Sequence, residues 1–367
     1  MDENKYTEEF TEELDREEEK QSETDDYAEV PPSDIVAFNE LRSCADLVRM
    51  YKTKQLEIQP DFQRDVVWSK ASQTRFIDSL IKQLPIPSMC VSLDYKTGKR
   101  LMIDGLQRIS SIIYFLTDDK WKLSALEDIE KTISGKTVEQ IKNKNYELYS
   151  RLENLTIPIT VLRCDYSKKS HMHYLFTIFH RLNTGGNKLN NQEIRNCIFY
   201  GDFNNLLKGL TRYTNFQKLF DIDPEKTYRF TYEEIILRFL ALNESYETYP
   251  GKLAKYLNDY MDDKRSITEA ELAEKRHLFE RVIDLIYLRI LDRQPMPKLS
   301  KATMEGIMVG ISRNINALEN KTDIELRQKL AELRADENYS VDNLKEGLSA
   351  KEKVVNRLNR SVEIFNF

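Results

Sequence analysis

Hydrophobic positions recur at two different spacings, and the change divides the chain. Over the first 165 residues, short apolar runs alternate with helical patterns. Ser43-Cys44-Ala45-Asp46 resembles a capping box opening a helix with Leu47, Val48 and Tyr51 inward. Gln55–Ile58 reads as a short strand. Ser69 caps a helix carrying Phe76, Ile77, Leu80 and Ile81 on one face, and Leu84-Pro85-Ile86-Pro87 stops it. Met89–Leu93 and Leu101–Ile103 are strands joined by a hairpin turn at Lys96–Lys99. Asp104-Gly105 turns the chain into a helix that starts near Leu106, with Ile109, Ile112, Ile113 and Leu116 at helical spacing. Residues 117–155 are polar and read as helical, and Leu155–Cys164 is a strand returning to the first sheet. A helix ends at Asn183, Gly185-Gly186 turn the chain, and another helix starts near Asn190 with Glu193 in the capping-box position. From Asp202 onward the pattern is almost wholly helical: Tyr232–Leu242, Leu253–Met261, Thr268–Ile290, Ser300–Leu318 and Asp323–Arg334. The fold class expected is α+β, with an α+β domain over 34–165 and a helical domain over 166–367, the functional cleft lying between them.

Charge separates a third region. The chain of 367 residues has a net charge of −6, yet residues 1–30 alone hold 14 acidic and 3 basic side chains. The remainder therefore carries +5, a mildly basic body that permits nucleic-acid binding. Residues 1–33 lack hydrophobic periodicity and end in Val30-Pro31-Pro32-Ser33, so we expect a disordered acidic tail that solvates the chain or competes with DNA for a basic surface. No apolar run approaches a membrane span and no signal peptide is evident, so the expected location is the cytoplasm, with no membrane partner. Cys44, Cys90, Cys164 and Cys197 are far apart and read as reduced, buried thiols.

Candidate chemistry concentrates at the Asp-Gly turn. A strand, a tight glycine turn and a helix N-terminus present unpartnered N–H groups and the positive end of a dipole, which suits an anion. Arg108 adds a planar fork that matches phosphate, and Gln107 adds an amide. Three roles are open to Asp104: holding Mg²⁺, accepting from a ribose hydroxyl, or capping the helix. Around the second glycine loop, Arg181, Asn183, Thr184, Gln192 and Arg195 are expected to line the same cleft or hold it shut. Ser134-Gly135-Lys136-Thr137 imitates the end of a P-loop, but the first glycine of that motif would fall at Glu130 and no strand precedes it, so it is rejected. His171, His173 and His180 lack the companions that would complete a ligand set, and no metal site is assigned to them. Pro60-Asp61 with Asp94-Tyr95-Lys96 forms a loose metal-nuclease pattern. Arg212, Tyr213, Arg229 and Tyr232 interleave basic and aromatic groups as a nucleic-acid surface does.

Two strings carry a resemblance. Pro60-x-Phe62-Gln63-Arg64 with Trp68, then Leu84–Pro87, then Ile103-Asp104-Gly105-x-Gln107-Arg108 resemble the N-terminal domain family of GmrSD-type modification-dependent restriction enzymes. Phe179-x-Arg181-Leu182-Asn183-Thr184-Gly185-Gly186, followed by Leu189 and Gln192–Asn196, matches the same family. The resemblance implies a ParB/sulfiredoxin-like fold in which the turn at Asp104–Arg108 binds nucleotide phosphates. It implies phosphate or catalytic roles for Asp104, Gly105, Gln107 and Arg108, and places Gln63 and Arg64 at the same pocket. Leu106 stands where the family commonly has a second glutamine, one polar group fewer. Such relatives often carry a C-terminal HNH-type nuclease. Here the last histidine, His277, sits in a long helical pattern, and no such domain is expected. The activity implied is a nucleotide-binding, NTP-hydrolysing, DNA-directed component of a restriction or phage-defence system, using ATP, GTP or CTP with Mg²⁺. The alternatives are a sensor that binds nucleotide or DNA without turnover and signals to a separate nuclease, and a stand-alone metal-dependent DNase.

Overall fold

The computed structural model describes residues 13–14, 31–58, 68–182, 189–223, 226, 228, 230–340, 343–344 and 348–367. The chain forms two compact units, Val30–Leu189 and Asn190–Phe367, the latter together with Met1–Glu29.

The first unit is built on one mixed five-stranded sheet. Its elements in chain order are β1 (Val36–Ser43), α1 (Cys44–Lys52), β2 (Leu56–Glu57), α2 (Lys70–Ile81), β3 (Met89–Asp94), β4 (Arg100–Asp104), α3 (Leu106–Thr117), α4 (Val138–Lys144), α5 (Tyr146–Asn154), β5 (Thr156–Cys164) and α6 (Lys169–Leu182). The strand order is β1-β5-β3-β4-β2. β1 is antiparallel to β5, β3 is parallel to β5, and the β3–β4 hairpin is antiparallel. Local chemistry sets the helix starts. Ser43 and Ser69 accept hydrogen bonds from the Asp46 and Ser72 N–H groups. Met89, Val91, Met102, Ile157, Ile159 and Val161 join Leu47, Ile77, Leu80, Ile109, Ile112 and Leu152 in one buried core. The alternate residues of β3 turn the other way, where Ser92 bonds the buried Tyr166 hydroxyl.

Three expectations need correcting here. β1 went unanticipated, because as an edge strand it is largely exposed and shows no clear alternation. Residues 118–137 are irregular, not helical. Two polar groups of α2 hold them: Thr74 accepts from the Ser124 N–H (2.9 Å), and buried Asp78 accepts from the Glu130 N–H (2.8 Å). α6, expected to begin the helical domain, packs against β4 in the first unit. His171 near its start bonds Asp34 at 2.8 Å, and Lys168 pairs with the same carboxylate.

The second unit is helical: α7 (Asn191–Ile198), α8 (Asp202–Leu210), α9 (Thr214–Leu219), α10 (Thr231–Ser245), α11 (Leu253–Asp263), α12 (Glu269–Asp284), a π-helical turn at Leu285–Ile290, α13 (Lys301–Arg313), α14 (Ile315–Leu318), α15 (Asp323–Ala335) and α16 (Lys351–Phe365). α16 went unanticipated. It lies tight against α13, where a Cβ at Gly310 would stand 2.3 Å from Ser361 Oγ and 2.7 Å from the Phe365 ring. At Leu14 the chain is not the solvated tail expected, since that side chain is buried with Ala302, Leu344 and Leu348. No helix among the described residues is long and apolar enough to cross a membrane.

Candidate functional site

The Asp-Gly turn follows from packing as much as from turn propensity. β4 runs into the core through Leu101, Met102 and Ile103, and Gly105 then takes φ +104°. A Cβ there would lie 2.5 Å from Met89 Cγ, so glycine is required both for the backbone angle and for the approach of β3. The β3–β4 register slips between Cys90 and Val91, a bulge that sets Cys90 opposite Asp104. Gly105 is the N-cap of α3, and no side chain caps it. The first-turn N–H groups of Leu106, Gln107 and Arg108 thus have no side-chain acceptor, and the positive end of a twelve-residue helix is left facing the turn.

The side chains around this helix end form a linked set. Arg108 donates to Asp104 Oδ2 at 2.7 Å and to the Pro87 and Ser88 carbonyls at 2.5 and 3.3 Å. Its side chain is 14% exposed and that of Asp104 39%, so the carboxylate is the more accessible partner. Gln107 Oε1 accepts from the Trp68 N–H at 3.4 Å. From Ser88 the polar contacts continue along the sheet: its hydroxyl meets Thr160 Oγ1 at 3.0 Å, and Thr160 donates to Asn39 Oδ1 at 3.0 Å. Burial, and after it the Asp104 carboxylate, pushes the Cys90 thiol up to about 12, so it stays protonated and is no nucleophile.

Asp104, Gly105, Gln107 and Arg108 are therefore brought together at one turn. The structure removes one of the three roles open to Asp104 and gives Arg108 partners within the chain. Asp104 is not the helix cap, and Arg108 is already engaged on Asp104 and two carbonyls. Pro87 and Ser88 were missed as site residues. Leu84–Pro87 read only as a helix stop, although a run with two prolines cannot donate from those nitrogens and stays extended, which leaves its carbonyls free to accept. Gln63, Arg64, Asn183 and Thr184 lie outside the described residues. Arg181 is exposed in the last turn of α6.

Gln192 and Arg195 occupy the second unit and do not line an open cleft there. α7 begins with the expected capping box between Asn190 and Glu193. It then buries both residues, Arg195 to 1% exposure. Arg195 donates to Asn258 at 2.9 Å, to Gln192 at 3.2 Å and to Glu234 at 3.3 Å. Glu234 also faces Arg238 and Lys301, and Arg238 bonds Glu305, which faces Arg357. Burial pushes the Glu234 carboxyl up, but Lys301, Arg238 and Arg195 together outweigh it and hold the group down at about 2.

The remaining patterns resolve into structural roles. Asp94 is buried in the hairpin, accepting from Thr97 Oγ1 (2.6 Å) and the Tyr166 N–H (3.3 Å). Lys96 pairs with Asp165 at 2.9 Å. The nuclease pattern thus loses both hairpin members, while Asp61 lies outside the described residues. His171 Nδ1 accepts from the Asp165 N–H, which puts the ring proton on Nε2, toward Asp34. Among the described residues, no group of three or more His, Cys, Asp or Glu side chains is placed to hold a metal ion. Tyr213 bonds Asp284, and Tyr232 packs on Phe216 and Phe220, so these aromatics serve the helical core; Arg229 lies outside the described residues.

No curated protein matches this chain, and no solved structure does. One family model matches, and its span runs from the first residue of α1 past the end of α7, taking in the whole Asp104–Arg108 turn and the buried Arg195. The family is described as GmrSD restriction endonuclease, N-terminal domain, and its model matches residues 44–200.

Proposed function

We propose that this chain is a nucleotide-binding, NTP-hydrolysing, DNA-directed component of a restriction or phage-defence system, and that its first unit has a ParB/sulfiredoxin-like fold. The observation that carries the reading is the turn itself. A glycine-opened, side-chain-uncapped helix N-terminus sits beside an accessible carboxylate and an arginine, inside a segment of the restriction-endonuclease family. In this reading the nucleotide phosphates bind the first-turn N–H groups of α3, ATP, GTP and CTP being the candidates. Arg108 presents its fork to a phosphate oxygen once Asp104 releases it. Asp104 then positions the attacking water or holds Mg²⁺. One carboxylate suits Mg²⁺ only where phosphate oxygens and waters supply the other ligands, which is how that ion commonly binds. Gln107, placed between the turn and Trp68, orients the ligand. Gln63, Arg64, Arg181, Asn183 and Thr184 are proposed as further nucleotide contacts, and a separate nuclease subunit as partner in the cytoplasm.

A second reading is favoured by the bonds Arg108 makes to Asp104, Pro87 and Ser88. If the guanidinium stays there, the turn binds nucleotide without turning it over and acts as a sensor. Nucleotide binding and phosphate release with ATP, GTP and CTP, with and without plain or modified DNA, decide between the two. DNA-stimulated release lost in Arg108→Ala and Asp104→Ala is expected. Saturable binding without release supports the sensor. No binding at all, with both variants behaving as wild type, removes both readings.

A further inference from the structure

The sheet of the first unit ends at β1, and the outer edge of β1 carries no strand among the described residues. The direction of its backbone groups follows from one bond. The Cys44 N–H, which continues the β1–β5 register, donates to the Leu155 carbonyl at 3.0 Å. Hydrogen-bonded and non-hydrogen-bonded positions alternate along an antiparallel pair. The even-numbered residues of β1 therefore face β5, and Asn39 and Leu41 turn their N–H and C=O groups outward. This edge is eight residues long and holds no Pro, no Lys and no bulge, and its two charges, Glu40 and Arg42, pair with each other. It also exposes apolar side chains, with Leu41 69%, Val36 50% and Phe38 39% exposed.

We propose that β1 is the interface of a two-fold dimer, pairing antiparallel with β1 of a second copy about Leu41. A two-fold axis normal to the sheet keeps each residue opposite one on the same face, so only alternate registers are allowed. Centring on Glu40 sets two carboxylates against each other. Centring on Asn39 puts Arg42 against Val36. Centring on Leu41 places Glu40 opposite Arg42 of the second copy, twice, and buries Leu41 against its own equivalent. The outward groups of Leu41 bond one another across the axis, and the Ser43 N–H meets the Asn39 carbonyl. Within one copy Arg42 already holds Glu40 at 2.8 Å and Asp46 at 2.9 Å, so pairing extends an existing charged row. Two five-stranded sheets become one continuous sheet.

The test uses the full chain with single cysteines. The four native cysteines are buried and give little background. Hydrogen-bonded antiparallel partners have Cα atoms about 5.5 Å apart, within disulfide reach. Leu41→Cys is expected to form a covalent dimer on oxidation, whereas Val36→Cys, five residues from the axis, is expected to remain monomeric on a non-reducing gel. Leu41→Lys sets two ammonium groups on the axis and is expected to abolish the dimer in sedimentation, with circular dichroism unchanged because the position is exposed. A wild-type chain that is monomeric at every loading overturns the proposal. So does a dimer indifferent to Leu41→Lys, or equal cross-linking at both cysteine positions.

Discussion

Arg108 and Arg195 look alike in the sequence, each in a helical segment that follows glycine, and they end in opposite surroundings. Arg108 lies at an open helix end, partnered by one accessible carboxylate and two loop carbonyls. Arg195 lies inside the helical unit, in a row that runs through Glu234, Arg238 and Glu305 to Arg357. The first arrangement can exchange partners with a ligand, because its groups are partly hydrated in either state. The second cannot do so cheaply, because Arg195, Arg238, Glu305 and Arg357 have left water and depend on their fixed neighbours. An arginine in a family motif can thus serve the ligand or the scaffold, and burial decides which.

The comparison breaks most visibly at Glu305. Its carboxylate lies between Arg238 and Arg357, both nearly fully buried. Glu305→Ala leaves those charges without it, and the expected loss is about 3–5 kcal/mol of stability, read by denaturant unfolding of the helical unit. A change below about 1 kcal/mol would mean that this row is not closed in solution.

Gly105→Ala comes next. Backbone strain at φ +104° is expected to cost roughly 1–3 kcal/mol, and Met89 must move besides. Under the proposed function nucleotide affinity should fall with it, since the uncapped helix end is displaced. A variant as stable as wild type would show that the turn is not held as described.

Acid sharpens the contrast between the two arginines. The folded carboxyl of Glu234 is held at about 2, below its ordinary 4.5, despite burial, by Lys301, Arg238 and Arg195. A depressed acid contributes stability that is full above its unfolded value and lost as pH falls through the folded one. The helical unit should therefore weaken from about pH 4.5 down to about 2, and Glu234→Gln should flatten that slope. Hydrogen exchange followed residue by residue checks this, and equal slopes in wild type and variant would contradict it.

The smallest structural effect is expected at Arg108. Arg108→Lys keeps a positive charge beside the half-exposed Asp104 carboxylate, so stability should change by no more than about 1 kcal/mol. Under the proposed function nucleotide binding should nevertheless drop, because an ammonium group cannot supply a planar fork. A variant that loses stability and keeps binding would reverse the roles assigned to the two arginines.

Much of the first unit was legible in the sequence because its signals are local. Ser69 before a helical pattern, Gly98 in a hairpin and Asp104-Gly105 before Ile109 each act within a few residues. In the second unit the Asn190–Glu193 box acts over the same short range. β1 was not legible, since an exposed edge strand needs no alternation and is defined by its partner β5. Residues 118–137 were misread because Thr74 and Asp78, some fifty positions earlier, satisfy their backbone. At the turn, the type of each candidate residue was readable, but its partner was not.

The sequence by itself determined the elements with short-range causes, the charge division and the match of residues 44–200 to a known family model. Only the tertiary structure decided that Arg108 meets Pro87 and Ser88, that Arg195 is buried against Glu234, and that α6 packs with the sheet. The physical reason is desolvation. Whether an ionised side chain serves a ligand or the core depends on how much water it keeps, and distant segments packed over it set that quantity.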